Sequence, residues 1–156
     1  MKFVMSYSGG KDSALALYRM IEEGHTPVAL LTTVNRDQER SWFHGIGDSL
    51  LQAVSESLHI PLLACVCTAD NYNQSFEESL KKARELGAEA CVFGDIDIEE
   101  HKSWDQDRCR HGGLRRVLPL WQQSREELVY EALRVGFRAK IKIVNASKLD
   151  PSYLGQ

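Results

Sequence analysis

Apolar positions along the chain change period repeatedly, from short β-rich runs to longer stretches with apolar residues at i, i+3, i+4 and i+7. The first strand reads as Lys2 to Tyr7. A helix follows Asp12, with Ala14, Leu17, Tyr18 and Ile21 on one face and Gly24 as its stop. Val28 to Val34 is a second strand; Leu51, Val54 and Leu58 mark a helix ending before Ile60-Pro61; Leu62 to Cys67 is a third strand. Ser75 with Glu78 reads as a capping box for a helix that shares Phe76, Leu80 and Ala83 on one face and closes at Gly87. Ala90 to Gly94 is a fourth strand, the charged segment Glu99 to His111 is helical, and Arg115 to Leu118 is a fifth strand stopped by Pro119. Ser124 with Glu127 opens a last helix, ending at Gly136.

Short apolar strands alternating with helices predict a mostly parallel five-stranded sheet covered on both faces, because each parallel pair needs a crossover and the helix supplies it. This is a doubly wound α/β fold. The segment Phe137 to Val144 differs, since Ala139, Ile141 and Ile143 alternate with Arg138, Lys140 and Lys142. Such alternation predicts a C-terminal edge strand with one wet face, able to pair across a homodimer. The division expected is an α/β domain over 1–136 and a C-terminal segment over 137–156.

With 156 residues, one domain can bury about two thirds of its unfolded surface without a metal or disulfide staple. The 19 basic and 22 acidic side chains leave a net charge of −3, so there is no global positive field to hold a polyanion, and nucleic acid is not the expected partner. Apolar runs such as Pro27 to Leu31 and Ile60 to Val66 fall short of the roughly 18 residues that span a bilayer. The start, Met1-Lys2-Phe3, enters a strand without a signal-peptide core, and a cytoplasmic protein is expected. Cys65, Cys67, Cys91 and Cys109 contain no C-x-x-C pair, and free thiols are the expectation.

The chemistry is carried by Ser8-Gly9-Gly10-Lys11-Asp12-Ser13, between the first strand and first helix, where an open α/β sheet binds its ligand. The glycines let the backbone turn and bring its N–H groups to an anion; Ser8 and Ser13 add hydroxyls, Lys11 adds charge, and the helix N-terminus adds orphan donors. The loop is a phosphate cradle. It is not a Walker A motif, which needs Gly where Met5 stands and Ser or Thr where Asp12 stands, and it does not fit G-x-G-x-x-G.

These six residues resemble the pyrophosphate-binding loop of the N-type ATP pyrophosphatases (PP-loop proteins), a superfamily of amide-forming synthetases and tRNA thiolation enzymes. The likeness covers nearly the whole chain. It runs through Gly94-Asp95-Ile96, Cys109 with Gly113-Leu114, Pro119-Leu120-Trp121 and Tyr153-Leu154-Gly155, and on those motifs the chain is similar to the diphthine–ammonia ligase-like proteins. The resemblance implies a Rossmann-like, adenine nucleotide alpha hydrolase-like fold. It also implies ATP cleavage between the α and β phosphates, adenylation of a substrate carboxylate and attack by ammonia. Lys11, Asp12 and Asp95 would be catalytic, with Mg²⁺ on Asp12 and Asp95. Adenine would lie on Thr32-Thr33-Val34, with Gly94 beside the phosphates, while His44, His101 and Lys102 would face the carboxylate-bearing substrate.

The chain departs from that pattern in two places. Glu99-Glu100-His101-Lys102 replaces an acidic–aromatic–Gln–Arg stretch, with Trp104 and Gln106 in place of an Arg and a Glu; Lys102 keeps a cation without the guanidinium fork. Related chains also continue past Leu154-Gly155 into a Gly-Gly-Glu-Tyr-like motif, so 137–156 reads as the start of an incomplete substrate-side segment. Two alternatives stay open: a sulfur-transfer tRNA-modifying relative, which should show a basic face and a reactive cysteine pair, and an ATP-binding protein that does not turn ATP over.

Overall fold

The computed structural model describes residues 1–42, 45–138, 147–148 and 150–155. Six strands and five α-helices follow in the order β1 (Lys2–Ser6), α1 (Lys11–Glu22), β2 (Thr26–Asn35), β3 (Arg40–Ser41), α2 (Asp48–Leu58), β4 (Leu62–Cys67), α3 (Tyr72–Glu85), β5 (Ala90–Val92), α4 (Glu99–Gly112), β6 (Arg115–Val117) and α5 (Arg125–Arg134), with a 3₁₀ turn at Pro151–Tyr153. All five expected strands form and run parallel, in the spatial order β4-β2-β1-β5-β6. Counted among the parallel strands this is 3-2-1-4-5, the Rossmann order, and the chain reverses direction across the sheet between β1 and β5.

The strand that the hydrophobic pattern does not announce is β3. It pairs antiparallel with Val34 and Asn35 at the end of β2. Because Leu31 O accepts from Tyr7 N and Thr33 O accepts from Trp42 N, β3 continues the same edge of β2 that β1 occupies, one step beyond the end of β1. Two residues are too short to carry a period.

The sheet buries both faces, as a parallel sheet with crossover helices must. Phe3, Met5, Leu30 and Val92 pack with Leu15, Leu17 and Met20 of α1 and Leu128 of α5. On the other face Val4, Leu31, Cys65 and Phe93 pack with Phe76 and Leu80 of α3 and Cys109 of α4. Cover is incomplete at one corner, where α2 buries Leu51 and leaves Val66 on β4 half exposed.

Two local expectations need correction. The inward face of α1 is centred on Ser13, Ala16, Leu17 and Met20, while Ile21 is 44% exposed, because the helix turns its Leu17 side to β1. Ser75 and Glu78 do not form a capping box: α3 starts a turn earlier, at Tyr72, and Ser75 N donates to Asn71 O within the helix. The Tyr72 ring sits edge-on to Trp42 at 5.5 Å, and this tertiary contact sustains the extra turn. The expected edge strand Phe137 to Val144 has Phe137 and Arg138 in an irregular segment, and the rest of it lies outside the described residues. The Ser124 cap does form, accepting from Glu127 N at 3.3 Å.

Candidate functional site: the cleft at the carboxyl edge of the sheet

The loop between β1 and α1 folds on its own side chains. Ser8 Oγ accepts from Gly10 N at 3.3 Å and lies 3.2 Å from Ser13 Oγ, which donates to Gly10 O at 3.0 Å. Gly9 has φ +87°, a conformation that favours glycine, and the tip of the Ile46 side chain packs over it. The result leaves the first amides of α1, which have no intrahelical acceptor, at the mouth of the cleft together with the positive end of its dipole.

A cavity of about 560 Å³ opens at this point, within the range of small-molecule sites. Of the residues predicted from sequence, Ser8, Asp12, Ser13, Thr32, Thr33, Gly94, Asp95 and His101 line it. Gly9, Gly10 and Lys11 shape the loop but are not in that wall, and Lys11 Nζ lies 3.2 Å from the Asp12 carboxylate. Val34 pairs with Ser41 and Val66 and does not reach the cavity. Lys102 stands apart, with its ammonium 5.0 Å from the centre of the Trp121 ring. His44 lies outside the described residues.

The threonines are engaged by the fold. Thr32 Oγ1 donates to Tyr7 O at 2.8 Å, and Thr33 Oγ1 accepts from the Tyr72 hydroxyl at 3.1 Å. What faces a ligand there is therefore backbone and the Tyr72 side chain. Burial pushes the Tyr72 phenol up to about 12, so it is a donor at every working pH.

Three groups in the wall are not legible from the sequence. Arg125, the first residue of α5, enters from the far side with its guanidinium forked on Asp97 at 2.6 and 2.9 Å. That pairing holds the Asp97 carboxyl below its ordinary range. In the sequence Arg125 follows a cap and reads as a solvated helix start. Asp105 belongs to a helix charged along its whole length, yet it is 2% exposed. Burial first, and then a hydrogen bond to Asp95, push its carboxyl up to about 10, so it carries its proton at neutral pH. Asp95 in turn lies 3.4 Å from His101 Nδ1. Tyr72, Phe76 and Trp104 complete an aromatic wall, with Phe76 and Trp104 4.8 Å apart.

All four cysteines are buried and free, and burial raises Cys65 to about 11. No group of three His, Cys, Asp or Glu able to cage a metal exists among the described residues. No helix among them is long and apolar enough to cross a membrane.

The comparisons agree with this geometry. In fold, the chain is similar to a predicted subunit of tRNA methyltransferase from Methanocaldococcus jannaschii, with a TM-score of 0.56, 16% identity, and 86% of this chain and 76% of that one covered. In sequence it is 26% identical to the diphthine–ammonia ligase of Mus musculus over 100% of this chain and 67% of that protein. It is 23% identical to that of Schizosaccharomyces pombe, of which it spans 29%. The family model of the diphthamide synthase N-terminal domain matches residues 1–116. With a glycine-rich loop at the switch point of a Rossmann-ordered sheet, the chain belongs to this diphthine–ammonia ligase-like family of PP-loop proteins.

Proposed function

We propose that this chain is an ATP-dependent ligase that adenylates a substrate carboxylate, releases pyrophosphate, and passes the acyl group to ammonia. The observation that supports it most is the placement of the Ser8–Ser13 loop and the α1 N-terminus in the wall and mouth of one cavity with Asp95 and Arg125. Diphthine, the substrate in the relatives' names, is the first carboxylate to test.

In this reading the phosphate chain lies on the loop, with Ser8 and Ser13 hydroxyls and the first amides of α1 as donors. Negative charge grows on the departing pyrophosphate, and donors fixed in advance stabilise it without reorganising. Lys11 and Arg125 supply the charge. Both are held by aspartates, Lys11 by Asp12 and Arg125 by Asp97, through partly exposed pairs that are weak enough to exchange for phosphate oxygens.

Asp12 is the residue that fits Mg²⁺. A magnesium ion takes one or two carboxylates and completes its shell with water and phosphate oxygens, so no protein cage is required. Bound there, it would neutralise charge on the phosphates. Asp95 fits less well as a ligand, because it already accepts the Asp105 proton and faces His101. The buried thiols, among which no C-x-x-C pair occurs, do not favour the sulfur-transfer reading.

The test is calorimetric titration of ATP, AMP and pyrophosphate with Mg²⁺ into wild type and Lys11→Ala, followed by product analysis with diphthine-containing protein and ammonium. AMP and pyrophosphate are expected, with ATP affinity reduced in Lys11→Ala. Release of ADP and phosphate alone, or ATP binding without turnover on any carboxylate, would reject the ligase.

A further inference from the structure

We propose that the gap between α1 and α2 is a binding site for a small neutral molecule with an apolar body and one hydroxyl or carbonyl oxygen. The site goes beyond the ligase reading and uses none of the residues that reading assigns.

The gap is a second cavity of about 410 Å³, within the range of small-molecule sites. Leu17 and Tyr18 of α1 form one wall and Val54 and Leu58 of α2 the other, while Phe137 stands edge-on to Tyr18 at 6.0 Å. No charged side chain lines it among the described residues, whereas aspartates, His101 and Arg125 line the first cavity. A charge brought into this wall would lose its water and gain no partner. The occupant it suits is therefore neutral.

Tyr7 adds the polar anchor. It is 8% exposed, and its hydroxyl makes no hydrogen bond among the described residues. The orphan side-chain atoms that are sealed off are His25 Nδ1, Trp42 Nε1, Asp105 Oδ2 and Arg108 Nε; the Tyr7 hydroxyl is not one of them, so a water-sized molecule reaches it. Tyr7 borders both cavities, and strand alternation decides which side takes its ring: Tyr7 shares its side of the chain with Phe3 and Met5, the side that α1 covers. Burial raises the phenol above its ordinary value, so the hydroxyl keeps its proton and donates. A buried donor without an acceptor is costly, and an occupant that brings it an oxygen removes the cost. A helix or a second copy seated on the half-exposed Ile21 and Leu58 at the rim would cover the hydroxyl without pairing it. The occupant that fits enters the cavity.

The site is tested on the full chain without nucleotide, using N-phenyl-1-naphthylamine, a neutral dye that fluoresces in apolar surroundings and carries no oxygen. Saturable binding is expected, displaced by 1-octanol and about tenfold or more less well by octanoate or octylammonium, which have the same length and a charge. Tyr7→Phe removes only the hydroxyl: the affinity for 1-octanol should fall about fivefold, as for one neutral hydrogen bond, and that for the dye should not change. Ala53→Trp, at an exposed position in the wall, fills the cavity without entering the core and should abolish binding of both. It decides the matter if Tyr7→Phe does not fold by circular dichroism. No saturable signal, equal displacement by octanoate, an octanol affinity unchanged in Tyr7→Phe, or binding unchanged in Ala53→Trp overturns the site. Dye affinity that falls as protein concentration rises would make a second copy the occupant, and overturns it too.

Discussion

The backbone of Gly94 lies against the main chain that joins Asp12 to Ser13: a Cβ at Gly94 would stand 2.9 Å from both the Asp12 carbonyl carbon and the Ser13 nitrogen. The end of β5 and the first turn of α1 are thereby locked together at the point where the strand order reverses. Gly94→Ala must displace one of them. The expected cost is about 1–3 kcal/mol of stability, as for other overpacked positions, with a further loss of ATP affinity because the amides of α1 move. Urea unfolding and calorimetry measure the two effects. An unchanged ATP affinity in a destabilised variant would show that the first turn of α1 does not hold the phosphates.

Arg125 is expected to bind the nucleotide through its phosphates. Arg125→Gln should lower the affinity for ATP and pyrophosphate by about tenfold, and for AMP by less, since a forked guanidinium contributes most where charge is densest. Thermal stability should stay close to wild type, because both the guanidinium and its Asp97 partner are half exposed. Equal losses for AMP and pyrophosphate would count against this placement.

Arg19 ties α1 to α5. Its guanidinium donates to both Glu131 oxygens at 2.7 and 2.8 Å, to Pro119 O at 3.1 Å and to Gln123 Oε1 at 2.8 Å. Arg19→Met should cost about 1–2 kcal/mol, the range for hydrogen bonds to a charged group in a partly covered setting. The Arg19 hydrogen bond holds the Glu131 carboxyl below its ordinary range. The stabilisation is therefore complete above the unfolded carboxyl value, about 4.3, and is lost as pH falls through the lower folded value. Urea midpoints of wild type and variant should converge in acid.

Asp105 acts in the opposite sense. Its folded carboxyl titrates at about 10, far above the unfolded value, so the folded state binds one more proton than the unfolded state between the two. That contribution is complete below about pH 4 and declines as pH rises toward the folded value, by at most about 1.4 kcal/mol per unit. Asp105→Asn removes the ionisation, and its stability relative to wild type should rise between pH 5 and pH 8. Parallel pH profiles for the two proteins would mean that Asp105 does not carry the proton.

Much of the fold is determined by the sequence alone. Five strands, five helices and the glycine-rich loop follow from apolar periodicity and turn residues, because burial of one helix stripe or of a whole strand leaves a local signature. The loop also stands out in the sequence, since paired glycines, hydroxyls and a lysine directly before a helix form a distinctive local pattern. Tertiary structure decided the rest. Antiparallel β3 is two residues long and exists because the end of β2 runs past β1. The extra turn of α3 depends on Tyr72 meeting Trp42, residues far apart in the chain. Asp105 and Arg125 sit in segments whose charge density reads as solvent-facing, and they join the cleft because α4 and α5 bring them to the carboxyl edge. Periodicity records how much of an element is buried; it does not record which side chain of another element faces it, and the proton on Asp105 is set by that neighbour.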